Sequence, residues 1–310
     1  MARILPWGGL LLLLLLPPLL DTYLLYLLTL FASYVIGALG LHLLMGLTGQ
    51  ISLAQAAFVG IGAYGTTLFM TGAGFSFWVS LPLAAGLAAL ASLVIGLPAL
   101  RVKGHYLALA TLGFGQIVQL IFVHWDSVTN GPRGLKVPRP ALGGYVLSEV
   151  AFAYVTLAIT VLLLLAAANL GRAKIGRALM AIRDNDLVAQ AMGVNLAGYK
   201  LLAFALSAFY GAVAGGLYAS LLGFIDPLGF TLWESVQFLT MLVLGGMGSL
   251  SGVVIGAVLL SGLPEFLRWL KEYKELFVSL ILLGCFVFMP YGIRSALDAL
   301  AYRLGRVRTS

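Results

Sequence analysis

Charge is scarce in this chain of 310 residues: Asp, Glu, Lys and Arg make up 9% of it, against about 25% in a soluble globular protein. That scarcity excludes a soluble enzyme and a disordered chain. Cysteine is almost absent. The single Cys285 rules out an internal disulfide and any cysteine-cluster metal site. His42, His105 and His124 are too scattered to suggest a metal centre. No Gly-x4-Gly-Lys-Ser/Thr run occurs, so the chain holds no ATP in a phosphate loop of its own.

What remains is apolar. Hydrophobic residues make up 61%, mean hydropathy is +1.05, and 38 glycines suit membrane helices that pack closely. A helix needs about 20 apolar residues to cross roughly 30 Å of hydrocarbon. The pattern predicts an all-α integral membrane protein with about ten transmembrane or partly re-entrant helices, near 4–20, 22–44, 51–70, 77–97, 105–124, 150–168, 199–222, 235–247, 249–262 and 276–293. All fall in one membrane domain over 1–310. The first run follows Arg3 and resembles a signal peptide, but no small-x-small cleavage site follows it, so a retained span is expected. The eighth and ninth are short and flank Gly245-Gly246-Met247-Gly248-Ser249. They read as a broken or re-entrant pair whose turn other helices cover.

Charge sets orientation. With the N terminus in the cytoplasm and alternating spans, 12 of the 18 Lys and Arg fall inside and 8 of the 11 Asp and Glu fall outside. That satisfies the positive-inside rule and places both termini, with the tail 294–310, in the cytoplasm. The net charge of +7 is thus a topology signal that requires no nucleic acid. The same census leaves every charge in a loop or at a span end. An intramembrane charge costs at least ~2.5–3.5 kcal/mol and is kept only for function. Its expected absence argues against a stand-alone ion-coupled carrier, a proton relay and a membrane-embedded enzyme.

The longest inner polar stretch is 169–200. It reads as an amphipathic helix around Arg177, Leu179, Met180, Ile182 and Arg183. A cap at Asp184-Asn185-Asp186 follows, then a short helix over 187–192 with a C-cap at Gly193. Leu179, Met180, Ile182, Leu187, Val188 and Met192 are available to a partner, or the segment is a connector whose bases touch lipid headgroups. The run 46–65 is rich in small and polar residues. Ser52 and Gln55 share a face there, to line a path or to bond neighbouring helices. Thr111 and Gln116 raise the same choice in 105–124. The external loop 125–149 holds the turn signal Asn130-Gly131-Pro132. The segment 262–275 looks like an interfacial helix with aromatic anchors.

An ordered set of short motifs runs from about residue 37 to 297. It includes Gly49-Gln50-Ile51-Ser52-Leu53, Gly62-Ala63-Tyr64, Tyr106-Leu107-Ala108 with Thr111-Leu112-Gly113-Phe114-Gly115, and Gly131-Pro132-Arg133-Gly134. Further on come Gly176-Arg177-Ala178, Ala181-Ile182-Arg183, Val243-Leu244-Gly245-Gly246-Met247-Gly248-Ser249 and Pro290-Tyr291-Gly292-Ile293. Together they resemble the LivM family, the permease subunits of branched-chain amino-acid ABC importers. The resemblance implies a vitamin-B12-importer-like (type II) permease fold in a bacterial inner membrane, with no enzymatic activity and no cofactor. It implies a second homologous permease, two cytoplasmic ATP-binding subunits and an external amino-acid-binding protein as partners. It makes 172–198 the element that couples to an ATPase, through Arg177, Leu179, Met180, Ile182, Arg183, Leu187, Val188, Met192 and Gly193. Gln50, Ser52, Gln55, Tyr64, Thr111 and Gln116 become candidates for the translocation path. Gln116 and Gln119 stand where a charged pair is common in the family. Cargo therefore stays open among branched-chain amino acids, other amino acids, urea and short amides.

Overall fold

The computed structural model describes residues 20–100, 102, 104–267 and 280. The expected spans 4–20 and 276–293, the tail 294–310 and the part of 262–275 beyond Leu267 lie outside the described residues.

The described chain is helical. Helix α1 (Thr22–Leu41) runs on through a π turn, His42–Gly46. Then follow α2 (Gln55–Thr71), α3 (Phe77–Ala99), α4 (His105–His124) and a short α5 (Asp126–Thr129). A connector with strands β1 (Leu135–Lys136), β2 (Ala141–Leu142) and β3 (Tyr145–Val146) leads to α6 (Glu149–Arg172). After it come α7 (Lys174–Asp184), α8 (Asp186–Ala191) and α9 (Leu196–Leu222). Strand β4 (Phe224–Ile225) and a 3₁₀ turn (Pro227–Phe230) precede α10 (Leu232–Gly245) and α11 (Leu250–Phe266). Five helices are long and apolar enough to cross a membrane: Thr22–Gly46, Phe77–Ala99, His105–His124, Glu149–Arg172 and Leu196–Leu222. They agree with the expected spans to within a few residues, because long apolar runs are the strongest signal a sequence carries.

Helix α9 is the hub and packs on α1, α2 and α3. Small residues let the backbones approach. A Cβ on Gly62 of α2 would overlap the Ala212 backbone, and one on Gly215 of α9 would overlap the Val59 carbonyl. Glycine contacts also close the α10–α11 hairpin, where Gly245 faces Gly252 and Gly256 faces Met241. Helices α4 and α6 lie at the periphery, with 22% and 28% of their apolar windows buried.

Two ends of the bundle can be told apart. At one, Tyr23 hydrogen-bonds Glu265, joining the start of α1 to the end of α11. At the other, a Cβ on Gly46 would lie 2.8 Å from the Met247 carbonyl oxygen, so the α10–α11 turn sits beside the end of α1. At the Thr22 end, β1 pairs antiparallel with β4, Leu135 opposite Ile225. Strands β2 and β3 form a hairpin there over Gly143 and Gly144, whose φ of 58° and 89° fit a primed turn.

Three expectations need correction. The span expected at 51–70 is helical only from Gln55. Gly49 takes the left-handed φ of 70°, and residues 50–54 run without helix, so Ser52 and Gln55 do not share a helix face. The glycine-rich turn 246–249 is not covered, since Met247 and Gly248 are exposed. The irregular chain that dips in from the rim is instead 224–231: Phe224 and Leu228 stay exposed, while Phe230 is buried and packs against Tyr64. The α10 helix begins only after that dip, which is why it has 14 residues. Finally, 169–172 still belongs to α6.

Candidate functional site

Interior polarity converges where α2 begins. Gln55 is 1% exposed. Its Nε2 donates to the Gly37 carbonyl of α1 (2.8 Å), and its Oε1 accepts from Ser207 of α9 (3.0 Å). A Cβ on Gly40 or Gly211 would come within 3.0 Å of that amide nitrogen, so both glycines leave room for it. Gly37 lies 15 residues into α1, roughly 22 Å along the helix. The junction is therefore deep in the bundle.

Deep helix starts need caps, because the first N–H groups have no partner within the helix. Ala54 supplies no side-chain cap to α2. The Ala54 amide donates to Ser52 Oγ (3.3 Å), and the Ala56 amide donates across to Ser235 Oγ of α10 (3.0 Å). The Leu53 amide donates to Thr111 Oγ1 (2.9 Å), which itself donates to the Ala108 carbonyl. The starts of α2 and α10 thus meet inside the chain. Both helix N-termini carry partial positive charge. A closed crevice beside them, with no room for a water, is lined by Leu53, Ala56, Gln116, Thr231 and Ser235.

The six expected path residues separate on this geometry. Ser52, Gln55 and Thr111 are buried and bonded within the chain. Tyr64 is buried too, stacked on Phe122 at 4.5 Å with Phe230 edge-on at 6.0 Å. Gln50 is buried with its Oε1 unpartnered. Gln116 is half-buried and borders the crevice.

One charge sits where the sequence census expects none. Glu234 begins α10 below the rim, beside Ser33, Tyr34, Val59, Ala214, Tyr218 and Phe230. The sequence places it outside because Asp226, Pro227 and Gly229 read as a surface loop. The unusual shortness of the run after it was the available signal. Ser207, Ser235 and His42 were also missed. Lone hydroxyls and a lone histidine carry no pattern.

At the Gly46 end, α7 and α8 form a compact element. Gly176 allows α7 to fold back on α6, since a Cβ there would overlap the Leu170 and Gly171 carbonyls. Asn185 Oδ1 caps α8, accepting from the amides of Leu187 (3.0 Å) and Val188 (3.2 Å). Gly193, at φ 84°, closes it in a Schellman arrangement, its amide bonding Gln190 and the Val194 amide bonding Ala189. Lys200 Nζ pairs with Asp186 Oδ2 at 2.9 Å, tying α8 to α9. Two expected contact residues turn the other way. Leu179 and Ile182 are 0% and 3% exposed, because α7 is amphipathic and seats its apolar stripe on its own bundle. Met180, Leu187, Val188 and Met192 are exposed. Arg177 is exposed and donates to the Arg172 carbonyl (2.8 Å), while Arg183 reaches the Gly46 carbonyl.

Residues 23–286 match a family model described as branched-chain amino acid transport system / permease component. The chain is 35% identical to the high-affinity branched-chain amino acid transport system permease protein LivM of Escherichia coli K12. That match covers 86% of this chain and 68% of that protein. It is 30% identical to the autoinducer 2 import system permease protein LsrC of Enterobacter sp. strain 638, over 81% of this chain and 74% of that one. It is 28% identical to the permease protein LivH of Salmonella typhimurium, over 86% and 92%. No solved structure gives a significant match. With helices that span a membrane, interior polarity gathered at the start of α2 and the family model matched along most of its length, this multi-pass chain belongs to the branched-chain amino acid transport permease family.

Proposed function

We propose that the chain is one of two homologous permeases in an ATP-driven importer of branched-chain or related hydrophobic amino acids, with a vitamin-B12-importer-like fold. The observation that carries this reading is the α7–α8 element. It is capped at both ends of α8, tied to α9 by the Lys200–Asp186 pair, and yet presents Met180, Leu187, Val188 and Met192 to solvent. Apolar side chains on a rigid foot suit docking by an ATPase better than a loose connector does. Arg172, Lys174, Arg177, Arg183 and Lys200 share this end, which supports its assignment to the cytoplasm. An external amino-acid-binding protein would deliver cargo at the Thr22 end, in a bacterial inner membrane.

The second permease would cover α4. Tyr106, Leu109, Ile117 and Leu120 are exposed along one face at helical spacing, with Gly113 open among them. The path would follow that seam past Gln116 and the crevice at the starts of α2 and α10. Uncharged hydroxyl and amide groups there, with two helix N-termini beside them, suit passage of a carboxylate-bearing molecule better than tight binding. Specificity is then set mainly by the external protein. Another cargo is a second reading, favoured by the 30% identity to an autoinducer 2 permease.

Mild-detergent extraction of the tagged chain from its native membrane, with co-purifying proteins identified, tests the assembly. Two phosphate-loop ATPases and a second hydrophobic permease are expected. A chain that purifies alone or only with itself refutes the reading. Uptake of labelled leucine against labelled urea by the reconstituted complex tests the cargo.

A further inference from the structure

We infer that Arg183 is a positioning residue through which the α7–α8 element holds the segment 46–54, and through it the Gln55 junction, during transport. The inference rests on the proposed docking of an ATPase at α7–α8. It assigns Arg183 an inward role in place of contact with the ATPase.

The geometry is specific. Arg183 Nη1 donates to the Gly46 carbonyl oxygen at 2.7 Å. Gly46 lies in the last turn of the helix that continues α1, which runs on to Thr48, and the Gln50 amide bonds Thr48 Oγ1 instead of the Gly46 carbonyl, which therefore suits a cationic cap. The arginine stem lies over Gly49, where a Cβ would stand 3.2 Å from Arg183 Cγ. Gly46 also abuts His42 and the Met247 carbonyl. One guanidinium thus touches the place where α1, the segment leading to α2 and the α10–α11 turn meet. Arg177, the other arginine of α7, bonds the end of α6 instead.

From Gly49 the chain runs to Gln55 without helix, and the Leu53 amide is fixed to Thr111 of α4. The second tie, Lys200–Asp186, holds α8 to α9 two turns before Ser207, which bonds Gln55. The element therefore grips both sides of the Gln55 junction, through α9 and through 46–54. A rigid-body shift of α7–α8 would reach the interior by both routes, and Arg183 makes the side-chain link in the second.

The test uses the full complex with its binding protein in proteoliposomes, reading leucine uptake, ATP hydrolysis and ATPase retention together. Arg183→Gln should keep the ATPases bound and hydrolysing while transport per ATP falls roughly tenfold, the worth of one charge-assisted bond. Arg183→Lys should restore part of the ratio, because its ammonium can still donate to Gly46. Gly49→Ala, which crowds the arginine stem, should lower the ratio independently and stands in if Arg183→Gln fails to accumulate. An unchanged ratio in both Arg183→Gln and Gly49→Ala overturns the inference. So does loss of the ATPases from Arg183→Gln, which would make Arg183 a docking residue. Absence of ATPases from the wild-type chain would instead refute the proposed function itself.

Discussion

Gly215 tests the packing that places the candidate site. It lies on α9 where that helix crosses α2, and alanine there would overlap the Val59 carbonyl oxygen. The new Cβ would also lie 2.7 Å from the Val59 carbonyl carbon and 3.0 Å from the Ala63 amide nitrogen. All three neighbours are backbone, so no rotamer change relieves the clash. Comfortable carbon–carbon contact is about 3.5–4.0 Å, and the helices must separate by about 1 Å. Gln55 is one turn from Val59 on α2, and its bonds to Gly37 and Ser207 stretch with the separation. Overpacking costs about 1–3 kcal/mol and two weakened interhelical bonds about 0.6 kcal/mol each. The sum is about 2–4 kcal/mol, or a melting-point fall of roughly 3–6 °C for a chain of this size. Fluorescence-detected size exclusion after heating measures it in detergent. Gly86→Ala is the control, because nothing lies within 4 Å of a Cβ there. If Gly215→Ala melts together with Gly86→Ala, the α2–α9 contact is not as described.

Leu187→Asp or Val188→Asp should insert and fold normally, since these side chains are 73% and 58% exposed. Each should release the ATPases, an unpaired charge in a docked interface costing roughly 2–5 kcal/mol; unchanged transport in either variant contradicts the docking assignment. Gln55→Leu leaves the Ser207 hydroxyl without its partner and removes the extra bond to the Gly37 carbonyl, which stays in the α1 ladder, at about 1–3 kcal/mol in all. Adding Ser207→Ala should then cost little more, and fully additive melting shifts would show that the two residues are uncoupled. Gly193→Ala forces a φ of 84° on a residue with a side chain, at about 1–2 kcal/mol. Amide exchange should rise in α8 and stay constant in α9, and equal protection of α8 in both proteins refutes the Schellman closure.

The long spans were legible because apolar length alone decides whether a helix can cross a membrane. Depth was not legible. Ser52 and Gln55 are three apart, and only the left-handed turn at Gly49 shows that one precedes the helix and the other begins it. Pro227 and Gly229 carry the same turn signal whether a loop lies on the surface or dips inside, so Glu234 reads as external although the chain has already re-entered. The same limit governs α7. Its apolar stripe was plain in the sequence, yet amphipathicity states that a face is covered and says nothing of what covers it. Leu179 and Ile182 are covered by this chain, whereas Met180, on the same helix, is left open. The exposed set that remains, Met180 on α7 with Leu187, Val188 and Met192 beyond the Asn185 cap, is smaller than the sequence suggests. It is also more specific, because every one of its members stands on a foot whose other side is already occupied. A partner that docked there would press on a foot already braced against its own bundle through Leu179 and Ile182.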